Sequence, residues 1–528
     1  MARQRLAEFL AHIRFTIEYT DETSLGTLMN LRTAFVLASI AFATDLIAAA
    51  ERPPTIHVLL WFDTEDYILP ASDDAALKIA DWLRNEGIPA TFKIVGEKAR
   101  TLEKRGRKDV IEALKKHEIG YHSNFHSVHP TPAMYLSALG WDEGVAEFDR
   151  REKSGFDDVK RIFGQTPSCY GQPGSSWGPQ SYGALRKWGV PLYLDYGKHI
   201  GMDGKPMWYG GALNIYNHAN TLRTNLEGEK ELAKARDRFV EVHKQLLAEG
   251  GGLVSIYYHP CEFVHKQFWD GANFDKGANP PREKWKLPEA KSAEESKIAY
   301  DTFFAYIGFI KRFAEVKFIT GKDAGELYKD KAIGREFGNT EIKAIAGLAA
   351  KGLNYHMGTD FALAPSEILK LLCDYEAPSA NPGPKQSTYS IVATPFGPSA
   401  EPRAMAAFVE TDRGQLSRTA LDVSQYMEKH GRVPSTIWLG SAPVTPESFL
   451  AALVEVVRFR EFKEPDLPEK IALKPAKLLT EKYVAEENPK LWGWTIFPPG
   501  FSAPEMMKLA KRQAWTIKPA IMHGIVKE

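Results

Sequence analysis

The chain has 528 residues, 44% of them hydrophobic and 25% charged, which excludes a disordered or fibrous protein and supplies apolar text for more than one buried core. Its 67 basic and 67 acidic side chains cancel, leaving no basic surplus for nucleic acid and no charge block suited to a tail. Three cysteines, Cys169, Cys261 and Cys373, allow one bridge at most and exclude a disulfide framework.

Residues 1–28 carry little pattern. A different text opens at Met29-Asn30-Leu31-Arg32, where one arginine precedes a mostly apolar run from Thr33 to Ala43, and Ala48-Ala49-Ala50 offers a small-residue cleavage site. That is the layout of a secretory signal peptide over 29–50, with Met29 the expected start and cleavage near Ala50. The run is too short, and too interrupted by Asp45, to span a bilayer. The expectation is therefore a mature protein that is secreted or periplasmic, with no transmembrane segment.

From Pro53 onward short apolar runs alternate with helical periodicity. Ile56–Phe62 reads as a buried strand that delivers Asp63-Thr64-Glu65-Asp66 at its end. Ala76, Ile79, Ala80 and Leu83 predict a helix behind Asp73 and Asp74, closed by Gly87. Ala90–Val95 is a second strand, and Val110, Ala113 and Leu114 mark a second helix. Glu118-Ile119-Gly120-Tyr121 then leads into His122-Ser123-Asn124-Phe125-His126. Two histidines four apart lie one turn from each other on a helix and can share one ion. The acidic cluster upstream offers a third ligand. Two histidines and a carboxylate with open positions make a catalytic ligand set rather than a closed structural one.

Phe156, Val159, Ile162 and Phe163 predict a further helix, followed by the glycine-rich loop Cys169-Tyr170-Gly171-Gln172-Pro173-Gly174-Ser175-Ser176-Trp177. Leu192–Asp195 reads as a strand ending in an acid. Leu253–Tyr258 is a strong strand with His259-Pro260 at its end, and a helix around 300–313 and the run 316–320 finish this part near residue 335. Alternating strands and helices predict a parallel α/β sheet or barrel, with chemistry at the strand ends.

The ordered set of Asp63 after a strand, His-Ser-x-x-His at 122–126 and a strand ending at His259 resembles the polysaccharide deacetylases of carbohydrate esterase family four. His117-Glu118-Ile119-Gly120-Tyr121-His122 adds to the likeness, which covers roughly residues 51–335. The resemblance implies a distorted (β/α) barrel holding one divalent metal, zinc being the expected ion. It makes His122 and His126 metal ligands, Asp63 the base that activates water, and His259 the acid that protonates the leaving amine. Thr64 replaces the second acid of the family's usual Asp-Asp pair, so either Glu65 or Asp66 is the carboxylate ligand. The family also carries an arginine ahead of a proline, held against the catalytic aspartate. Tyr170-Gly171-Gln172-Pro173 has none. Asp195 matches a fourth motif in position but lacks its neighbouring Asp-Trp.

Aromatic residues cluster near these loops, and sugar rings stack on such faces. Trp177 and Trp208, flanked by glycines and prolines, are the expected substrate contacts, with Tyr170, Gln172 and Asp195 beside them; Tyr257 is expected in the core. Residues 340–528 read as a smaller, mainly helical accessory domain. Ala364-Pro365-Ser366-Glu367, Thr445-Pro446-Glu447-Ser448 and Ala503-Pro504-Glu505-Met506 each start a helix with proline at its first position. Residues 436–447 and 495–505 even share the preceding text, which suggests a degenerate repeat. The 377–387 stretch reads as an exposed linker.

The function expected from all this is metal-dependent removal of N-acetyl or O-acetyl groups from an acetylated polysaccharide or oligosaccharide. Two rivals are a small-molecule amidase of the same fold and a carbohydrate-binding protein that has lost turnover.

Overall fold

In a computed structural model of the chain, the described residues are 54–378, 387–459 and 470–523. The signal peptide expected at 29–50 and most of the 377–387 linker lie outside them. The central strand is β1 (Ile56–Thr64), buried along all nine residues, as its near-continuous apolar text requires of a parallel strand covered on both faces. One edge of β1 pairs with β9 (Gly252–Tyr258). The other edge is shared: β10 (Val316–Ile319) takes Ile56–Leu59 and β2 (Thr91–Ile94) takes Trp61–Thr64, all in parallel.

Beyond β2 follow β3 (Glu118–Tyr121), β4 (Cys169–Tyr170), β5 (Leu192–Leu194) and β7 (Ala212–Ile215), also parallel. β6 (Met207–Tyr209) runs antiparallel beside β7, and β8 (Thr221–Leu222) lies outside β9. The eleventh strand of the sheet is β11 (Lys518–Pro519), which comes from the far end of the chain and pairs antiparallel with β6. Helices Pro70–Asn85, Lys108–Leu114, Trp141–Phe163 and Ala293–Ile310 cover the sheet, close to the predicted positions. The mixed sheet curls into a half-barrel, the distorted (β/α) barrel expected from the sequence.

A second hydrophobic core gathers residues from Ala332 to Leu478, with Trp515. It contains an internal duplication. Strand Glu336–Gly338, helix Asn339–Ala349, hairpin His356–Met357/Ala362–Leu363, helix Pro365–Glu376 and strand Thr388–Ser390 form one unit, closed by pairing of its outer strands. Strand Val409–Thr411, helix Arg413–His430, hairpin Ile437–Leu439/Ala442–Val444, helix Pro446–Phe459 and strand Ile471–Leu473 repeat that order with the same pairing. The first helix of each unit packs on the second helix of the other. Two of the three proline helix starts fall at equivalent places. The third, Pro504, does not: residues 495–503 form turns rather than strands, and helix Pro504–Arg512 belongs elsewhere.

That helix lies in a segment that returns to the barrel. Tyr483, Trp492, Phe497, Met506, Leu509 and Ile517 all belong to the core built by β1 and its neighbours. The three cysteines are free and buried. Among the described residues no helix is long and apolar enough to cross a membrane.

Candidate active site

Every charged side chain converging here leaves the carboxyl end of a parallel strand or the loop beyond it, where barrels of this kind keep their chemistry. Asp63 on β1 is in register with Lys93 on β2, so the two side chains share a face. Lys93 Nζ stands 2.9 Å from Asp63 Oδ1 and 2.8 Å from Asp195 Oδ2, just past β5. It also donates to Leu194 O at 2.8 Å. Burial opposes the Asp63 carboxylate, but Lys93 and His259 hold it below its ordinary value, and Asp63 is ionised. Burial would strip the Lys93 proton; the two carboxylates outweigh that and keep an ammonium. Burial, with Asp63 nearby, pushes Asp195 up to about 7 against the pull of Lys93.

The two histidines meet on a loop, not a helix. Ser123 and His126 have φ of 65° and 56°, a left-handed backbone that an α-helix cannot contain and that costs on the order of 1–3 kcal/mol per residue. The surroundings impose it. Gly96 N and Glu97 N, opening helix Gly96–Lys104, donate to Ser123 O at 2.9 Å and Asn124 O at 2.8 Å. Asn124 N donates to Glu152 Oε2 at 2.7 Å. The imidazole centroids end 5.1 Å apart.

Glu65 closes the group. Its Oε2 lies 2.8 Å from His126 Nε2 and 3.6 Å from His122 Nε2. His122 Nδ1 lies 3.0 Å from Gly171 O, which only a protonated Nδ1 can satisfy, so the Nε2 lone pair points at Glu65. Burial lowers the His122 pKa against the pull of Asp63 and keeps the ring neutral. Glu65 is desolvated too, yet His126 and His259 hold it well below the usual carboxylate range.

His259, at the end of β9, faces the same space. Its Nε2 is 3.6 Å from Asp63 Oδ2 and its Nδ1 2.5 Å from Glu262 Oε1, while Arg223 pairs with the other Glu262 oxygen. Burial lowers the His259 pKa, but Glu65, Glu262 and Asp63 together raise it to about 9, so the imidazole carries its proton near neutrality.

These groups floor a cleft of about 640 Å³. Residues 490–495 supply one wall, although they are remote in sequence. Trp494 Nε1 donates to Asp270 Oδ2 at 2.7 Å, Trp494 N donates to Ser175 Oγ at 3.1 Å, and the ring stands edge-on to His126 at 5.2 Å. Tyr196 and Phe268, exposed by 45% and 36%, sit on the rim.

Of the residues singled out from sequence, Asp63, Glu65, His122, His126, Gln172, Asp195 and His259 all line this cleft. Asp66 does not. Its Oδ1 accepts from Ile68 N at 2.9 Å and Leu69 N at 3.3 Å, and its Oδ2 faces His265, so it shapes the turn after β1. Trp177 is wholly buried and stacked on His199, and Trp208 lies on β6 in a different apolar cluster, so neither meets the cleft. Tyr170 is core, its ring against Tyr121, Phe148 and Tyr193. Tyr257 is only partly buried and lines the cleft, contrary to expectation. The sequence reading missed Lys93, Glu262, Arg223, Asp270 and Trp494. Lys93 left a signal, since a lysine inside an apolar strand must meet carboxylates to be buried at all. Trp494 left none, standing 319 residues from Ser175.

The donor set of Glu65, His122 and His126 fits a divalent cation. Their ligand atoms lie within 4.8 Å of one another. His126 Nε2 is buried without a hydrogen bond despite its 2.8 Å approach to Glu65 Oε2, as expected of two atoms aimed at a common point rather than at each other. One oxygen and two imidazole nitrogens leave positions open, the pattern of a reactive site.

No protein-family model and no curated protein matches the sequence. Solved structures do. A Mycobacterium smegmatis protein named as a polysaccharide deacetylase is 14% identical, with 52% of this chain and 90% of that chain covered and a TM-score of 0.34. A family 4 carbohydrate esterase from Streptomyces lividans, solved with acetate, is 14% identical over 50% of this chain and 91% of its own, with a TM-score of 0.27. A mutant of the family pseudoenzyme BA3943 with restored activity is 14% identical over 39% and 67%, with a TM-score of 0.23. The chain is similar to family four deacetylases over about half its length.

Proposed function

We propose that this chain is a metal-dependent hydrolase that removes N-acetyl or O-acetyl groups from an oligosaccharide or polysaccharide, and that it works outside the cytoplasm. The observation that supports it most is the meeting of Asp63 and His259, 3.6 Å apart, above the Glu65, His122 and His126 donor set. A divalent cation held by those three residues supplies the charge that polarises an acyl carbonyl and acidifies water. Asp63, ionised, takes the proton from the attacking water through Oδ2, the oxygen that faces the cleft. His259, protonated, gives its Nε2 proton to the departing nitrogen or oxygen. Glu262 fixes the ring by holding Nδ1–H, so that Nε2 is the atom presented. Trp494, Tyr196 and Phe268 offer apolar faces suited to a pyranose ring. Export rests on the text of residues 29–50.

The test is acetate release from a panel of acetylated glucosamine and xylose oligomers, chitin fragments and small non-sugar amides, after chelation and after zinc is returned. Turnover of an acetylated sugar, lost on chelation and regained with zinc, is the expected result. Turnover confined to the small amides, or none at all, refutes the reading. His126→Ala should abolish zinc binding, and full zinc occupancy by elemental analysis in the His122→Ala/His126→Ala double variant would show that the ion lies elsewhere.

A further inference from the structure

We infer that Lys93 is the positioning residue of the base, holding one Asp63 oxygen with an ammonium that leaves no room for a side chain at position 171. The inference rests on the assignment of Asp63 as the base. Three observations carry it. A Cβ placed on Gly171 would fall 2.0 Å from Lys93 Nζ and 2.3 Å from Asp195 Oδ2. A side chain at 171 and the Lys93 ammonium therefore exclude each other, and Gly171 lies in the Tyr170–Pro173 stretch that has no arginine. Next, the stem of Lys93 crosses Gly120, its register partner on β3, where a Cβ would lie 2.9 Å from Lys93 Cγ and 2.5 Å from Cys169 Sγ. Two glycines thus clear the path of one lysine.

The third observation is how fully the ammonium is spent. A lysine has three N–H donors. Lys93 Nζ donates to Asp195 Oδ2 and Leu194 O, both at 2.8 Å, and pairs by charge with Asp63 Oδ1 at 2.9 Å. The Trp61 ring covers it at 4.2 Å. With these oxygens fixed on β1 and at the end of β5, the ammonium is held in place, and it stands against one Asp63 oxygen while leaving the other toward His259. Asp195 then serves as the second anchor of the lysine rather than as a substrate contact. The cation that steadies the base thus comes from β2.

Lys93→Met and Lys93→Met/Asp195→Asn decide the matter, each measured for kcat, KM, zinc content and melting temperature. Lys93→Met should retain zinc and a KM within about threefold while kcat falls about 100-fold, as when a positioned proton acceptor is lost. Adding Asp195→Asn removes the repulsion between two unpaired buried acids, so it should recover melting temperature but not kcat. Wild-type kcat in Lys93→Met, or recovery of kcat together with melting temperature in Lys93→Met/Asp195→Asn, would overturn the inference by making Lys93 merely structural. A wild-type chain that hydrolyses nothing in the panel overturns the proposed function and this role with it, whereas an active wild type with an equally active Lys93→Met overturns this role alone.

Discussion

The roles proposed for Asp63 and His259 need opposite protonation states in one cleft, and their neighbours favour them. Lys93 and His259 keep Asp63 charged, and three carboxylates keep His259 protonated. Asp63→Asn should keep its zinc and lose turnover by about 10²–10⁴-fold, the usual worth of a placed base, as measured by steady-state kinetics beside metal analysis. His259→Ala should cut hydrolysis of an acetamido sugar far more than that of an activated aryl acetate, whose leaving group departs without a proton. Equal losses on both substrates would remove His259 from the acid role. At this scale the sequence was legible wherever chemistry follows directly on a strand, as at Asp63, His122 and His259. It could not separate Glu65 from Asp66, because the choice depends on which carboxylate the Ile68 and Leu69 amides consume after the turn. Nor could it show that Trp177, in loop-like text, points inward against His199.

The elements divide in the same way. Strands β1, β5 and β9 were readable because burial leaves largely apolar runs bounded by polar text, while β2, β3 and β10 keep such text around a single charged residue each. The histidine loop was not readable, since a four-residue spacing suits a helix as well as a turn, and only the donors of helix Gly96–Lys104 and the Glu152 carboxylate select the turn. Asn124 carries much of that selection: its side chain also donates to Arg151 O at 2.8 Å and accepts from Arg100 at 2.8 Å. Asn124→Ala should therefore loosen His122 and His126 without touching either, and weaken zinc affinity by about 10–100-fold, the cost typical of losing support behind a ligand. Competition with a chelator of known affinity measures it, and unchanged affinity would mean the loop holds its shape without that side chain.

Across the whole molecule, the second core gathers residues from Ala332 to Leu478 with Trp515, while Tyr483, Trp492, Met506, Leu509 and Ile517 return to the first. The duplication within the second core escaped the sequence because its two units share topology and helix starts but few residues. A chain ended near 335 would expose the barrel surface that Met506, Leu509 and Ile517 cover and would lack the Trp494 wall; low solubility and lost turnover are expected, and a folded, fully active fragment would refute this. His199 lies on that seam, stacked on Trp177, close to Trp492, with its carbonyl accepting from Ala485 N at 2.9 Å. Burial depresses its pKa from 6.5 to about 3. The folded state thus favours neutral His199, and the resulting stability is complete above about pH 6.5 and drains away as pH falls toward 3, by up to about 1.4 kcal/mol per unit. Urea midpoints should fall between pH 7 and 5 in the wild type and fall less in His199→Phe; parallel curves would place the acid sensitivity elsewhere. The seam also sets an order of events. Ser175 and Asp270 wait for Trp494, 319 and 224 residues further along. At roughly 5–20 residues per second on the ribosome, that is an interval of tens of seconds, in the later part of which a nascent chain has made β1 to β10 but neither β11 nor the last wall of its cleft. A polypeptide still being synthesised, or one released early, carries the reactive side chains without the enclosure that gives them a substrate.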